Sequence, residues 1–146
     1  MWQVRSARHH ACKRKPLTHD KIQVVRLILL IEDDAAIRTM TRRVLVDAGY
    51  GVQEADDGKA GLAYYNQRRF DAVITDIVMP DKEGLETIRE LRRADPLVKI
   101  IAMSGAGGQG HGGYLDIALK LGAHRILHKP FTSDALLTVV GEVLAK

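Results

Sequence analysis

A chain of 146 residues has room for one domain and a tail, not for two full domains, and 46% apolar with 27% charged residues is ordinary globular composition. The net charge of +4 divides unevenly: residues 1–25 carry Arg5, Arg8, Lys13, Arg14, Lys15 and Lys21 against Asp20, a net +5, and the rest of the chain is close to neutral at −1. The single cysteine, Cys12, excludes an internal disulfide, and the chain has neither an apolar run of the roughly 18 residues that span a membrane nor the apolar core of a secretory signal at its start. The expected compartment is the cytoplasm.

Residues 1–25 show no sustained period and contain His9-His10 and the run Lys13-Arg14-Lys15-Pro16. They read as a flexible basic extension preceding a domain at 26–146. A basic cluster can attract nucleic acid or anionic lipid. This one is short, and a solvated tail with no nucleic-acid or membrane partner is the expectation.

From Arg26 the pattern alternates. Leu27–Ile31 is a continuous aliphatic run, as for a strand buried on both faces. Residues 34–48 place Ile37, Met40, Val44 and Leu45 at helical spacing, with Gly49 as the stop. Val52–Ala55 predicts a second strand, and 57–68 a helix with Leu62 and Tyr65 inward. Phe70–Thr75 predicts the third strand, and Met79-Pro80 turns the chain. Residues 83–94 form a helix around Leu85, Ile88 and Leu91, ended by Asp95-Pro96. Val98–Met103 predicts the fourth strand. A glycine-rich loop, Gly105–Gly113, then leads to a short helix ending at Leu121, with His111 facing solvent. His124–His128 predicts the fifth strand, and Thr132 or Ser133 can cap a last helix reaching Leu144.

Five βα units in sequence imply an α/β three-layer sandwich with helices on both faces of a parallel sheet. Right-handed crossovers narrow the topology, and the flavodoxin-like (βα)5 order 2-1-3-4-5 fits five strands. In such sheets ligands bind at the carboxyl edge. Four aliphatic runs end there in polar groups: Glu32, Asp33 and Asp34 after the first, Asp76 after the third, Ser104 after the fourth and Lys129 after the fifth. Glu32, Asp33 and Asp76 make a set of hard oxygen donors suited to Mg²⁺, which takes one or two carboxylates and engages phosphate oxygens. Without a cation such carboxylates repel. Aspartate can form an acyl phosphate, a serine hydroxyl can donate to a phosphoryl oxygen, and a lysine can neutralise one. Singly these residues are commonplace caps and turns; four strand ends in agreement are not.

The segments Ile28-Leu29-Leu30-Ile31-Glu32-Asp33-Asp34, Val73-Ile74-Thr75-Asp76-Ile77-Val78-Met79-Pro80, Ile101-Ala102-Met103-Ser104-Gly105 and Leu127-His128-Lys129-Pro130-Phe131 resemble the signature segments of response-regulator receiver domains, the CheY-like family. The resemblance covers roughly residues 26–145. It implies that Asp76 is the phosphoacceptor, that Glu32 and Asp33 hold Mg²⁺ together with Asp76 and the backbone carbonyl of Val78, and that Ser104 and Lys129 respond to the phosphoryl group. It implies a histidine kinase or histidine phosphotransfer protein as donor and a protein target downstream, read through the face of the fourth helix, fifth strand and fifth helix. It also implies a cis bond at Lys129–Pro130. The last helix ends almost at Lys146, and a stand-alone regulator is expected.

Two positions depart from that pattern. Ile126 stands three residues before the lysine, where the family usually has a switch aromatic. Signalling through the loop after strand 4 and through helix 4, without an aromatic rotamer change, is therefore expected. Val78 replaces a side chain that is commonly polar and offers no hydrogen bond to an attacking water, so a long-lived acyl phosphate is expected.

Rival readings are weaker. Haloacid-dehalogenase-type phosphatases also use a strand-end aspartate and Mg²⁺, but their second acid falls here on Val78, which removes general acid–base help. A switch rather than a turnover enzyme is the expectation. Gly105-Ala106-Gly107-Gly108-Gln109-Gly110 matches G-x-G-x-x-G, yet it does not follow the first strand and lacks the acid about 20 residues on. No G-x-x-x-x-G-K-[ST] is present, which excludes a P-loop NTPase. Glycines suit a loop that must reorganise.

Overall fold

The computed structural model describes residues 24–77, 83–105 and 111–145. The basic extension up to residue 23, the Val78-Met79-Pro80 segment and most of the glycine-rich loop lie outside the described residues, as does the side chain of His111.

Ten elements alternate: β1 (Leu27–Ile31), α1 (Ala35–Asp47), β2 (Gly51–Ala55), α2 (Gly58–Gln67), β3 (Ala72–Asp76), α3 (Glu83–Ala94), β4 (Ile100–Gly105), α4 (His111–Leu121), β5 (Arg125–Lys129) and α5 (Ser133–Leu144). The strands are parallel in the order β2-β1-β3-β4-β5, as expected. Alternation along β1 sends Ile28 and Leu30 into one apolar cluster and Leu29 and Ile31 into the other. The first cluster is completed by Leu45 of α1 and Leu136, Val140 and Val143 of α5; the second by Ile88 and Leu91 of α3 and Ala118 of α4. Each fully buried Leu or Ile stabilises the fold by about 1.5–3 kcal/mol relative to exposure.

Capping follows the residue types. Asp34 accepts from the amides of Ala36 and Ile37 at the start of α1, Asp57 from Ala60 at α2, and Thr132 from Ala135 at α5. Gly49 ends α1 at φ 97, in the left-handed region open to glycine. Gly61 lets α2 lie directly on Ile31, where a Cβ would collide with that side chain.

Several boundaries differ from expectation. β3 begins at Ala72, because Phe70 stacks on Tyr65 with ring centroids 6.0 Å apart and Asp71 turns its carboxylate onto the Leu27 amide at 2.7 Å. It continues through Asp76, which pairs with Met103. β4 begins at Ile100, not Val98, because the Val98 amide closes a turn onto the Asp95 carbonyl at 3.1 Å. β5 includes Lys129, opposite Gly105. α4 already starts at His111, so the last residues of the expected loop are helical.

In α1, Thr41 is buried and Met40 is 49% exposed, the reverse of the expected apolar spacing. The Thr41 hydroxyl donates to the Ile37 carbonyl at 2.7 Å, which makes burial tolerable. Met40 instead lines an open cavity of about 330 Å³ with Ile37, Pro130 and Phe131.

Candidate functional site

Glu32 is the first residue beyond β1, and its amide still donates to the Ala55 carbonyl of β2 at 3.0 Å. That bond carries the strand direction one residue further and turns the Glu32 side chain into the protein, where it is fully buried. Asp33 follows in the turn and is exposed. Asp76 ends β3 and is 4% exposed. The Ile77 amide bonds to the Met103 carbonyl at 3.0 Å, so pairing on both sides of Asp76 fixes its backbone. α3 presses Gly84 onto the Asp76–Ile77 backbone, and a Cβ there would lie 2.5 Å from the Asp76 carbonyl oxygen.

Lys129, at the end of β5, reaches across the edge with its side chain 13% exposed. Its Nζ lies 2.6 Å from Glu32 Oε2 and 2.9 Å from Asp76 Oδ2. Glu32 Oε1 accepts from the Asp34 amide at 3.2 Å. Ser104, near the end of β4, is 2% exposed, and its hydroxyl lies 3.5 Å from the Gly105 carbonyl oxygen, at the limit of a hydrogen bond. The Lys129–Pro130 peptide bond is cis, as expected.

Burial pushes the Glu32 carboxyl up to about 7; the Lys129 hydrogen bond opposes this, and the neighbouring Asp76 charge adds to it. For Lys129, burial works against the charged form, but bonds to Glu32 and Asp76 outweigh it and hold the ammonium above its ordinary value. One lysine is thus shared between two enclosed carboxylates.

One carboxylate oxygen from each of Glu32, Asp33 and Asp76 can be chosen so that all three lie within 4.8 Å of one another. Three hard oxygen donors, one of them open to solvent, suit a small divalent cation that keeps some of its water. The fold therefore brings Glu32, Asp33, Asp76, Ser104 and Lys129 to one sheet edge. Val78, the remaining expected contributor, lies outside the described residues. Ile126 is partly buried against the cluster formed with α3 and α4.

Two supporting residues were missed by sequence reasoning. Gly84, a glycine within a helix, is at least a visible oddity. Arg38, whose Nη1 donates to the Glu32 carbonyl at 2.8 Å, carries no sequence signal that separates it from the other arginines of α1.

A 2-1-3-4-5 sheet with an acidic cluster and a lysine at its carboxyl edge defines the CheY-like class of α/β domain. Residues 28–141 match the family model for the response regulator receiver domain. The chain belongs to that family, whose general role is in two-component phosphorelay from a histidine kinase. It is 32% identical over 117 residues to the chemotaxis protein CheY of Thermotoga maritima, covering 80% of this chain and 95% of that one. It is 37% identical over 113 residues to the chemotaxis protein CheY of Listeria monocytogenes, covering 76% and 92%. The solved CheY-like receiver domain protein of Methanospirillum hungatei superposes with a TM-score of 0.76 at 30% identity, covering 83% of this chain and 94% of that one. Among the described residues no helix is long and apolar enough to cross a membrane.

Proposed function

We propose that Asp76 is the phosphoacceptor of this receiver and that Glu32, Asp33, Asp76 and the Val78 backbone carbonyl hold Mg²⁺. The observation that carries the reading is the convergence of three carboxylates within 4.8 Å, two of them bonded to Lys129. A bound Mg²⁺ would supply positive charge to the phosphoryl oxygens during transfer.

The remaining chemistry belongs to side chains. An Asp76 carboxylate oxygen attacks the phosphorus of a phosphohistidine. The O–P bond forms as the P–N bond breaks, and the bonding pair returns to the imidazole nitrogen. Lys129 pairs with the new phosphoryl charge, and the Ser104 hydroxyl donates to one of its oxygens. Both then change partners, which shifts the population of the loop after β4 and of the face made by α4, β5 and α5. A downstream protein reads that face in the cytoplasm. Ile126 supplies bulk but no aromatic rotamer switch.

The chain acts as a switch rather than a turnover enzyme, because Val78, two residues after Asp76 in sequence, carries no acid or base. Residues 26–146 form the receiver, and residues 1–25 are a basic extension before it. Labelling with acetyl phosphate and Mg²⁺, or with a kinase, tests the reading: wild type gains one acid-stable, base-labile phosphoryl group, and Asp76→Asn gains none. Absence of labelling from every donor would overturn it.

A further inference from the structure

The acidic pair Glu32–Asp33 sits where β1 has ended and α1 has not begun. Its orientation therefore depends on whatever holds that short turn. The Glu32 amide is tied to Ala55 at 3.0 Å, and Asp34 caps α1 through the Ala36 amide at 2.9 Å. Between them lies the peptide joining Glu32 to Asp33, and its carbonyl oxygen accepts from Arg38 Nη1 at 2.8 Å.

Arg38 is unlike a surface arginine. It projects from the second turn of α1 back over the turn that precedes the helix. Its side chain is 21% exposed, and its Nε lies 3.9 Å from Glu54 Oε1 on β2. A guanidinium is a planar fork, so one edge facing a carboxylate and another a carbonyl set its plane. The peptide plane of Glu32–Asp33 is thereby referred to both α1 and β2. Rotation of that plane would swing Asp33 relative to Asp76.

We propose that Arg38 is a positioning residue for the divalent-cation site, acting through the Glu32 carbonyl to aim the Glu32–Asp33 pair. The proposal rests on the reading of Glu32, Asp33 and Asp76 as that site. Its sign separates it from simple electrostatics. A positive charge near a cation site repels the cation, so removing Arg38 would tighten binding if charge alone mattered. If Arg38 positions the ligands, removing it weakens binding, by about tenfold or more as for other groups that orient metal ligands.

The test is Mn²⁺ titration of the full chain at fixed ionic strength, following free Mn²⁺ by electron paramagnetic resonance. Asp33→Asn defines binding outside the site. Arg38→Ala is expected to weaken site-specific binding about tenfold. Arg42→Ala, which removes a second and more exposed partner of Glu54 3.8 Å away, is expected to leave it within about twofold, since its charge is largely screened. In acetyl-phosphate labelling, the Mg²⁺ concentration for half-maximal rate should rise in Arg38→Ala more than the rate at saturating Mg²⁺ falls.

Equal or tighter Mn²⁺ binding by Arg38→Ala would overturn the proposal. So would an equal loss in Arg42→Ala, which would assign the effect to the Glu54 charge network. Where circular dichroism shows Arg38→Ala unfolded, Arg38→Met carries the same comparison, because it keeps the apolar stem and removes every donor. If wild type binds no more Mn²⁺ than Asp33→Asn, the cation-site reading itself fails, a result distinct from the loss of Arg38's role alone.

Discussion

The two ends of the parallel sheet use charge in opposite ways. At the amino end, polar groups hold turns and remain wet. Asp71 accepts from the Leu27 amide, and its pairing with Arg26, 3.8 Å away, leaves the side chains 38% and 51% exposed. Asp95 accepts from the Tyr65 hydroxyl at 2.6 Å and from the Leu97 amide at 2.9 Å. At the carboxyl end, Glu32 and Asp76 are enclosed and share Lys129, with Asp33 beside them. Charges at the first end are locally satisfied and tolerate loss. Among the described residues, carboxylates at the second outnumber the lysine beside them, an excess of negative charge that suits a divalent cation.

Perturbing each end should reveal the contrast. The largest effect is chemical: Asp76→Asn is expected to abolish phosphoryl labelling, measured with acetyl phosphate and Mg²⁺, while no substitution at the amino end does so. Next is Lys129→Met. It leaves two enclosed carboxylates without their shared partner and is expected to destabilise the fold by about 3 kcal/mol at pH 7 without divalent cations. Proton uptake by Glu32 keeps the cost at the low end of what an orphaned buried charge incurs. Urea denaturation measures it, and an unchanged midpoint would end the contrast between the two edges.

A third substitution sharpens the switch reading. Val78→Asn adds an amide that can orient water beside the acyl phosphate, so the phosphoryl group should be lost several-fold faster, as followed by decay of the labelled protein. Equal or slower decay would remove the expectation of a long-lived acyl phosphate.

The smaller effects belong to the amino end. Tyr65→Phe deletes one hydrogen bond to a carboxylate that keeps its Leu97 partner, at a cost of about 0.5–1 kcal/mol. The Tyr65 hydrogen bond, followed by the Leu97 amide, holds the Asp95 carboxyl below its usual range. Desolvation, then the Asp95 bond, holds the Tyr65 hydroxyl above its own. For an acid whose folded value is depressed, the stabilisation is complete above its unfolded value of 3.8 and disappears as pH falls through the folded value. The difference between wild type and Tyr65→Phe in urea denaturation should therefore be flat near neutrality and shrink below about pH 4. Smallest of all, Arg26→Ala should shift stability by no more than about 0.5 kcal/mol, as for exposed ion pairs.

Much of this was legible in residue order because the strands are continuous aliphatic runs and the helices carry caps. Those features are local, and they placed β1 and α3 to the residue. Boundaries set by pairing were not legible: Val98 is as apolar as any strand residue, yet its amide is used in a turn. The burial of Thr41 over Met40 was hidden for a similar reason, since hydrophobic spacing cannot register a hydroxyl bonded to its own helix. Arg38 was invisible because its role is a long reach to a carbonyl that any residue possesses.

The candidate site residues were determined by the sequence alone, since each follows an aliphatic run and a parallel sheet must deliver such residues to one edge. The tertiary structure decided how they share charge. That Lys129 holds Glu32 and Asp76 at once depends on distances between segments remote in the chain, whereas Gly84 on the Asp76 backbone and Arg38 on the acidic turn depend on how a helix folds back onto the strand end just before it. Residue order carries the local periods that build strands and helices; the separations across the sheet edge come from packing the layers against one another.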